Sequence, residues 1–186
     1  MNLTKEEKQF LLKTARQSIK SLFTEVDVVK PDYEKYPVMK ENAGAFVTLT
    51  INSRLRGCIG YIISENHLYQ TVCDAAKQAA TQDPRFPPLS ENELDNLDME
   101  ISVLSQPFKM NSYDDIEIGK HGLIVDEMDR RGLLLPQVPV EHNMNKEEYL
   151  TAICQKAGLP KFLWKEKTLN LDLFTAIIFS EKEYEV

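Results

Sequence analysis

Near the start of the chain, hydrophobic residues recur at helical spacing. Phe10, Leu11, Ala15, Ile19, Leu22 and Phe23 form one stripe, and Thr4 with Glu7 has the spacing of a capping box. The pattern predicts an amphipathic helix that opens at Thr4 and buries one face. Residues 26–38, with their charges and with Pro31 and Pro37, read as an extended strap along the surface. Residues 44–51 (GAFVTLTI) are rich in β-branched and aromatic side chains and read as a strand. Asn52-Ser53 is a turn signal, and residues 55–63 (LRGCIGYII) read as the returning strand of a hairpin.

Leu68, Val72, Ala75, Ala76, Ala79 and Ala80 then mark a second amphipathic helix. Its small-residue face suits close packing on a sheet. Asp83-Pro84 stops it, and residues 85–88 form a rigid corner. Ser90 and Glu93 open a helical turn through Leu97. Met99, Ile101 and Val103 alternate with Glu100, Ser102 and Leu104 as a half-buried strand that Pro107 ends. Residues 114–119 read as a loop. Residues 122–126 and 132–135 flank the polar Asp129-Arg130-Arg131 as a second hairpin. Asn145 and Glu148 cap a helix whose buried face is Tyr149, Leu150, Ile153, Cys154 and Ala157, and Gly158 with Pro160 ends it. Residues 169–179 (LNLDLFTAIIF) read as one long strand before a charged tail. Strands that come largely as hairpins, mixed with helices, predict an α+β fold with a largely antiparallel sheet and flanking helices.

Composition narrows the class without naming a reaction. At about 150 residues per domain, 186 residues predict a single domain over 1–186, with room for two sublobes. The net charge of −7 and the lack of a basic run argue against general binding to nucleic acid or to anionic membranes. Cys58, Cys73 and Cys154 are odd in number, far apart and without a C-x-x-C, so reduced thiols in a cytoplasmic protein are expected. Charges at Lys5, Glu6, Glu7, Lys8, Lys13 and Arg16 leave no room for the apolar core of a signal peptide, and no run of 18 apolar residues occurs. There is no G-x-S-x-G, H-E-x-x-H or phosphate-binding glycine loop.

The segment richest in chemistry is Leu55-Arg56-Gly57-Cys58-Ile59-Gly60. On a strand, period two puts Arg56, Cys58 and Gly60 on one face, with same-face neighbours about 7 Å apart. An arginine beside a cysteine favours the nucleophilic thiolate. Gly57 and Gly60 leave space for a ligand or a neighbouring backbone. The plainer alternative is a small buried thiol, tightly packed glycines and a salt-bridged Arg56. His121, before Gly122, is a candidate base for Cys58 if folding brings the two together, and otherwise a satisfied histidine. Glu141 and His142 have no ligand spacing that would make a metal set with Cys58 and His121, so no metal or cofactor is expected. Asp83 and Arg85 flank the proline corner, where they pin a helix end or hold an anion.

These residues resemble the AMMECR domain family. Its hallmark hexapeptide looks like residues 55–60, and Asp83-Pro84-Arg85-Phe86 is similar to its second motif. Residues 100–104 (EISVL), 120–123 (KHGL), 134–138 (LLPQV), 156–159 (KAGL) and Trp164 follow in the family's order, so the resemblance covers nearly the whole chain. Residues 141–145 (EHNMN) depart from it, since the family pattern has a tryptophan near the start of that helix. The resemblance implies two unequal lobes with a cleft. It marks the hexapeptide as functionally important, assigns no reaction, and directs attention to Gln137 as a further binding residue. It also implies company: a Memo-type protein of the extradiol-dioxygenase-like fold and a radical S-adenosylmethionine protein. Two readings follow. In one, the chain is an accessory component that docks the Memo-type partner. In the other, it is an enzyme or small-molecule site with Cys58 as nucleophile or redox thiol, Arg56 as anion holder and His121 as base.

Overall fold

In the computed structural model, which describes residues 1–184, Thr4 opens the first helix as its spacing predicts. The Glu7 amide donates to Thr4 Oγ1, and the Thr4 amide donates to Glu7 Oε2 at 2.7 Å. The chain divides into two compact units: residues 1–104 with the segment from Ile177 on, and Ser105–Ala176.

The first unit is built on a four-stranded sheet. Helix α1 (Lys5–Lys20) is followed by the strap, a 3₁₀ turn (Pro37–Lys40), strands β1 (Ala45–Ile51) and β2 (Arg54–Tyr61), helix α2 (Leu68–Thr81), a second 3₁₀ turn (Glu91–Asn96) and strand β3 (Leu97–Leu104). Asn52 and Ser53 both take positive φ, the two-residue turn whose twist matches a hairpin. Strand β1 lies between β2 and β3, antiparallel to each. Ala45, Val47, Leu49, Met99, Ile101 and Val103 are buried with Leu11, Ala15 and Ile19 of α1 and the alanine face of α2. Val28, Tyr33 and Tyr36 of the strap pack against that core. Helix α1 ends sooner than its stripe suggests. Leu22 and Phe23 bond back three residues to Ile19 and Lys20, which tightens the last turn and leaves Leu22 exposed.

The second unit holds the other sheet. Its elements are β4 (Phe108–Lys109), a 3₁₀ turn (Tyr113–Asp115), β5 (Gly122–Glu127), β6 (Arg130–Leu134), α3 (Val138–Glu141), α4 (Lys146–Lys156), α5 (Leu163–Glu166) and β7 (Leu171–Phe174), with sheet order β4-β7-β5-β6. The second hairpin turns at Met128-Asp129, both at positive φ, so Arg130 and Arg131 belong to β6 and not to the loop. Leu123, Val125, Leu171 and Leu173 of the sheet are buried with Tyr149, Leu150, Ile153 and Cys154 of α4.

The long strand expected over 169–179 is two strands. Strand β7 belongs to the second sheet, whereas β8 (Ala176–Ser180) lies beside β3 in the first. At the break, the Thr175 amide donates to Ser105 Oγ and the Ser105 amide donates to the Thr175 carbonyl, each at 2.9 Å. Apolar alternation runs straight through because Leu173 serves one core and Phe179 the other. The expected charged tail is a short helix, α6 (Glu181–Tyr184), in which Glu181 is buried against Arg16 of α1. Residues 185–186 of that tail lie outside the described residues.

Candidate functional site

The hexapeptide lies on β2, an edge strand of the first sheet. Pairing runs Thr50 with Leu55 and then Leu49 with Gly57, so Arg56 is the extra residue of a β-bulge. The bulge interrupts the alternation that would place Arg56 with Cys58. Gly57 lies against α2, where a Cβ would overlap the Ala79 carbonyl. At Gly60 a Cβ would likewise overlap backbone, the Ala45 carbonyl and Phe46 Cα of β1, together with Phe46 Cγ.

The polar groups of this strand fasten the segment that follows α2. The guanidinium of Arg56 donates to Glu93 through Nε (2.7 Å) and Nη2 (3.0 Å), and to the carbonyls of Pro87 and Pro88. Glu93 Oε2 also accepts from the amide and hydroxyl of Ser90. The Arg56 hydrogen bonds are the main cause that holds the Glu93 carboxyl down at about 2. One turn of chain away, the Cys58 amide donates to Asp83 Oδ2 at 2.8 Å. An edge strand leaves such N–H groups unpaired, and a buried carboxylate supplies the missing acceptor. Arg85 holds Asp83 from the other side through Nε (2.9 Å), Nη2 (2.7 Å) and its own amide. The Arg85 bonds above all, with those from the Cys58 and Arg85 amides, keep the Asp83 carboxyl far below the usual range against an opposing desolvation. The two motifs are therefore one hydrogen-bonded assembly.

The Cys58 thiol itself faces Thr48, with Sγ and Oγ1 3.3 Å apart. Its neighbouring cation is Arg85. Hydrogen bonding to Asp83 raises the Arg85 pKa, and a smaller coulombic contribution comes from Cys58. Arg85 remains 54% exposed, whereas Arg56 is 13% exposed and committed to Glu93. Cys73 and Cys154 are buried, and burial pushes both thiols up. Cys58 is the cysteine with partial access to solvent.

His121, Gly122 and Gln137 belong to the second unit. His121 is 6% exposed, and its Nδ1 meets both the Glu117 amide (3.2 Å) and the Asp115 carbonyl (3.0 Å). Which of these it pairs with depends on where the imidazole proton sits. Phe108 packs edge-on to the ring. Gly122 is the first residue of β5 and lies beneath the Phe174 ring. Tyr149 sends its hydroxyl toward the carbonyls of His121, Leu134 and Leu135, and Gln137 follows two residues later with a buried Oε1 that has no partner. Among the described residues, no three of His, Cys, Asp and Glu gather as a metal-binding group. No helix among them is long and apolar enough to cross a membrane.

Thr48 and Glu93 were not singled out by sequence. Counting from the hairpin turn pairs Thr48 with Gly57, and only the bulge at Arg56 moves Cys58 opposite it. Glu93 stood out only for its capping-box spacing with Ser90.

The sequence profile of the AMMECR1 family matches residues 12–179. The chain belongs to the AMMECR1 family. It is 43% identical to protein Mbar_A1807 of Methanosarcina barkeri, with 97% of this chain and 93% of that protein covered. It is 41% identical to protein MJ0810 of Methanocaldococcus jannaschii, over 97% and 93%. The crystal structure of the uncharacterised protein PH0010 from Pyrococcus horikoshii is similar, with a TM-score of 0.82 and 38% identity over 92% of this chain and 89% of that one. The AMMECR1 match takes in both motifs of the edge-strand assembly, together with His121, Gly122 and Gln137.

Proposed function

We propose that this AMMECR1-family chain is a cytoplasmic binding component that docks a Memo-type protein and works alongside a radical S-adenosylmethionine protein. The observation that carries the reading is the use made of the hexapeptide: Arg56 and the Cys58 amide are both spent on holding residues 83–93. A catalyst needs such groups free to meet a substrate. Here they give the fold a rigid rim on an edge strand. The acidic balance of −7 favours a protein partner over nucleic acid or anionic lipid. The three free thiols suit a reducing compartment.

A second reading keeps Cys58 as a reactive thiol, with Arg85 in place of Arg56 as its cation. It rests on the exposure of Arg85 and its electrostatic reach to Cys58. One pair of measurements separates the two. The docking reading expects purified chain and Memo-type partner to co-elute, and the complex to survive Cys58→Ser. Absence of any complex overturns it. Relative alkylation rates of the three thiols do not discriminate, because Cys58 reacts first on access alone. The thiol reading expects Arg85→Gln to slow Cys58 alkylation near neutral pH while the fold stays intact, and an unchanged rate removes it.

A further inference from the structure

We propose that the groove on the outer face of α4 is a binding site for a zwitterionic ligand with an apolar or aromatic side chain, of the class of free amino acids. The groove has a volume of about 480 Å³ and is lined wholly by residues of the second unit, whereas the edge-strand assembly belongs to the first. That volume falls in the range of small-molecule sites, roughly 300–1,000 Å³. The outer face of α4 forms one wall, with Thr151 and Ala152 one turn after Glu147 and Glu148. Phe162 and Trp164 form the other. The Trp164 indole N–H donates to Thr151 Oγ1 at 3.0 Å, which fixes the ring against the helix. Phe162 is half exposed, an apolar surface without full cover.

Charge decides the ligand class. Glu147 and Glu148 line the α4 wall, while Lys161 and Lys165 line the aromatic wall. Two carboxylates and two ammonium groups sum to zero, so neither a pure anion nor a pure cation is favoured. Because the signs are segregated, a ligand with an ammonium toward α4 and a carboxylate toward residues 161–165 matches both walls. Glu148 Oε2 already accepts from the Asn145 amide at the helix cap, which leaves Glu147 as the freer acid. Glu147 is joined to Lys165 at 3.4 Å, with both side chains more than half exposed. An exposed pair of this kind holds weakly, and an incoming zwitterion replaces it with two pairs. Lys165 also sits 4.9 Å from the centre of the Trp164 ring, so its movement changes the indole environment.

Trp164 is the single tryptophan of the chain, so tryptophan emission reports from this groove wall with no second indole to confuse it. The probes are L-phenylalanine, 3-phenylpropionate without the ammonium, and phenethylamine without the carboxylate. A saturable change in Trp164 emission is expected with L-phenylalanine, and binding at least about tenfold weaker with each half-ligand. Glu147→Gln is expected to weaken L-phenylalanine binding by a similar factor, whereas 3-phenylpropionate binds at least as well, because Lys165 is released from its pair. The side chain is exposed, so an unchanged melting curve confirms that the variant is folded. No saturable response to L-phenylalanine in the unmodified chain overturns the proposal. So does equal binding of all three probes, or a Glu147→Gln variant that binds L-phenylalanine as before.

Discussion

Replacing Gly57 by alanine tests whether the hexapeptide glycine exists to admit a helix backbone. Gly57 does not take positive φ, so an alanine fits its backbone conformation without strain. The obstacle is external. A Cβ there would stand 3.1 Å from the Ala79 carbonyl carbon and nearer still to the oxygen. Both atoms belong to the backbone of α2, which cannot swing aside as a side chain would. Overpacking of this sort costs about 1–3 kcal/mol, and a backbone obstacle puts it at the upper end. Against that stands a gain of roughly 0.5–1 kcal/mol from replacing a strand glycine. The net loss is about 2 kcal/mol. For a chain of this length, each kcal/mol lowers the melting temperature by about 2–4 °C, so Gly57→Ala should melt about 4–8 °C below the unmodified protein. Cys58→Ala removes one small, partly exposed group and should cost less than about 1 kcal/mol. Calorimetric melts of both variants, with Ala79→Gly added to Gly57→Ala as a third, give the comparison. The added change should rescue nothing, because it removes a methyl group and leaves the carbonyl in place. Melting of Gly57→Ala at or above Cys58→Ala, or rescue by Ala79→Gly, refutes the argument.

Two further outcomes follow from buried hydrogen bonds. Asp83→Asn should destabilise by about 1.5–3 kcal/mol at neutral pH, the usual worth of hydrogen bonds to a charged group. The Asp83 carboxyl titrates lower in the folded state than in the unfolded one, where it lies near 3.9. Its contribution is therefore full above that value and is lost as pH falls through the folded value, so urea midpoints of variant and parent should converge below about pH 4; a gap that stays constant from pH 7 to pH 3 contradicts this. Tyr149→Phe should cost about 1–3 kcal/mol, since the hydroxyl of this fully buried side chain meets three carbonyls in two stretches of chain, and denaturant unfolding followed by Trp164 emission measures it.

Periodicity and cap chemistry located the main helices and both hairpins, because each is a local pattern. Thr4, Asn145 and the turn at Asn52-Ser53 act on residues within four positions of themselves, and the structure places them as their spacing predicts. The failures share a different cause. The long strand over 169–179 breaks at Thr175 because a hydrogen bond to Ser105, 70 residues away, ends one ladder where another begins. The tail helix buries Glu181 because Arg16, 165 residues away, reaches it. For the site, the family motifs were legible, but their geometry was not. A single bulge at Arg56 changes what the arginine binds and brings Thr48 opposite Cys58, and no alternation rule anticipates a bulge.

The bulge also bears on how the hexapeptide should be read. With Arg56 on the Cys58 face, the arginine would be a candidate to activate the thiol. With Arg56 closed on Glu93 and two proline carbonyls, it is a strut. The groups left over near Cys58 are the thiol, the Thr48 hydroxyl and the exposed half of Arg85. If the Arg85 guanidinium leaves, Asp83 keeps the Cys58 and Arg85 amides as donors but loses two charge-assisted bonds on a buried carboxylate. A substrate anion that drew Arg85 away would leave the buried Asp83 charge without its cation. A partner surface that met Arg85 in place would keep every bond and gain a half-exposed guanidinium as an anchor. The energetic asymmetry between those two events favours docking over turnover at this rim.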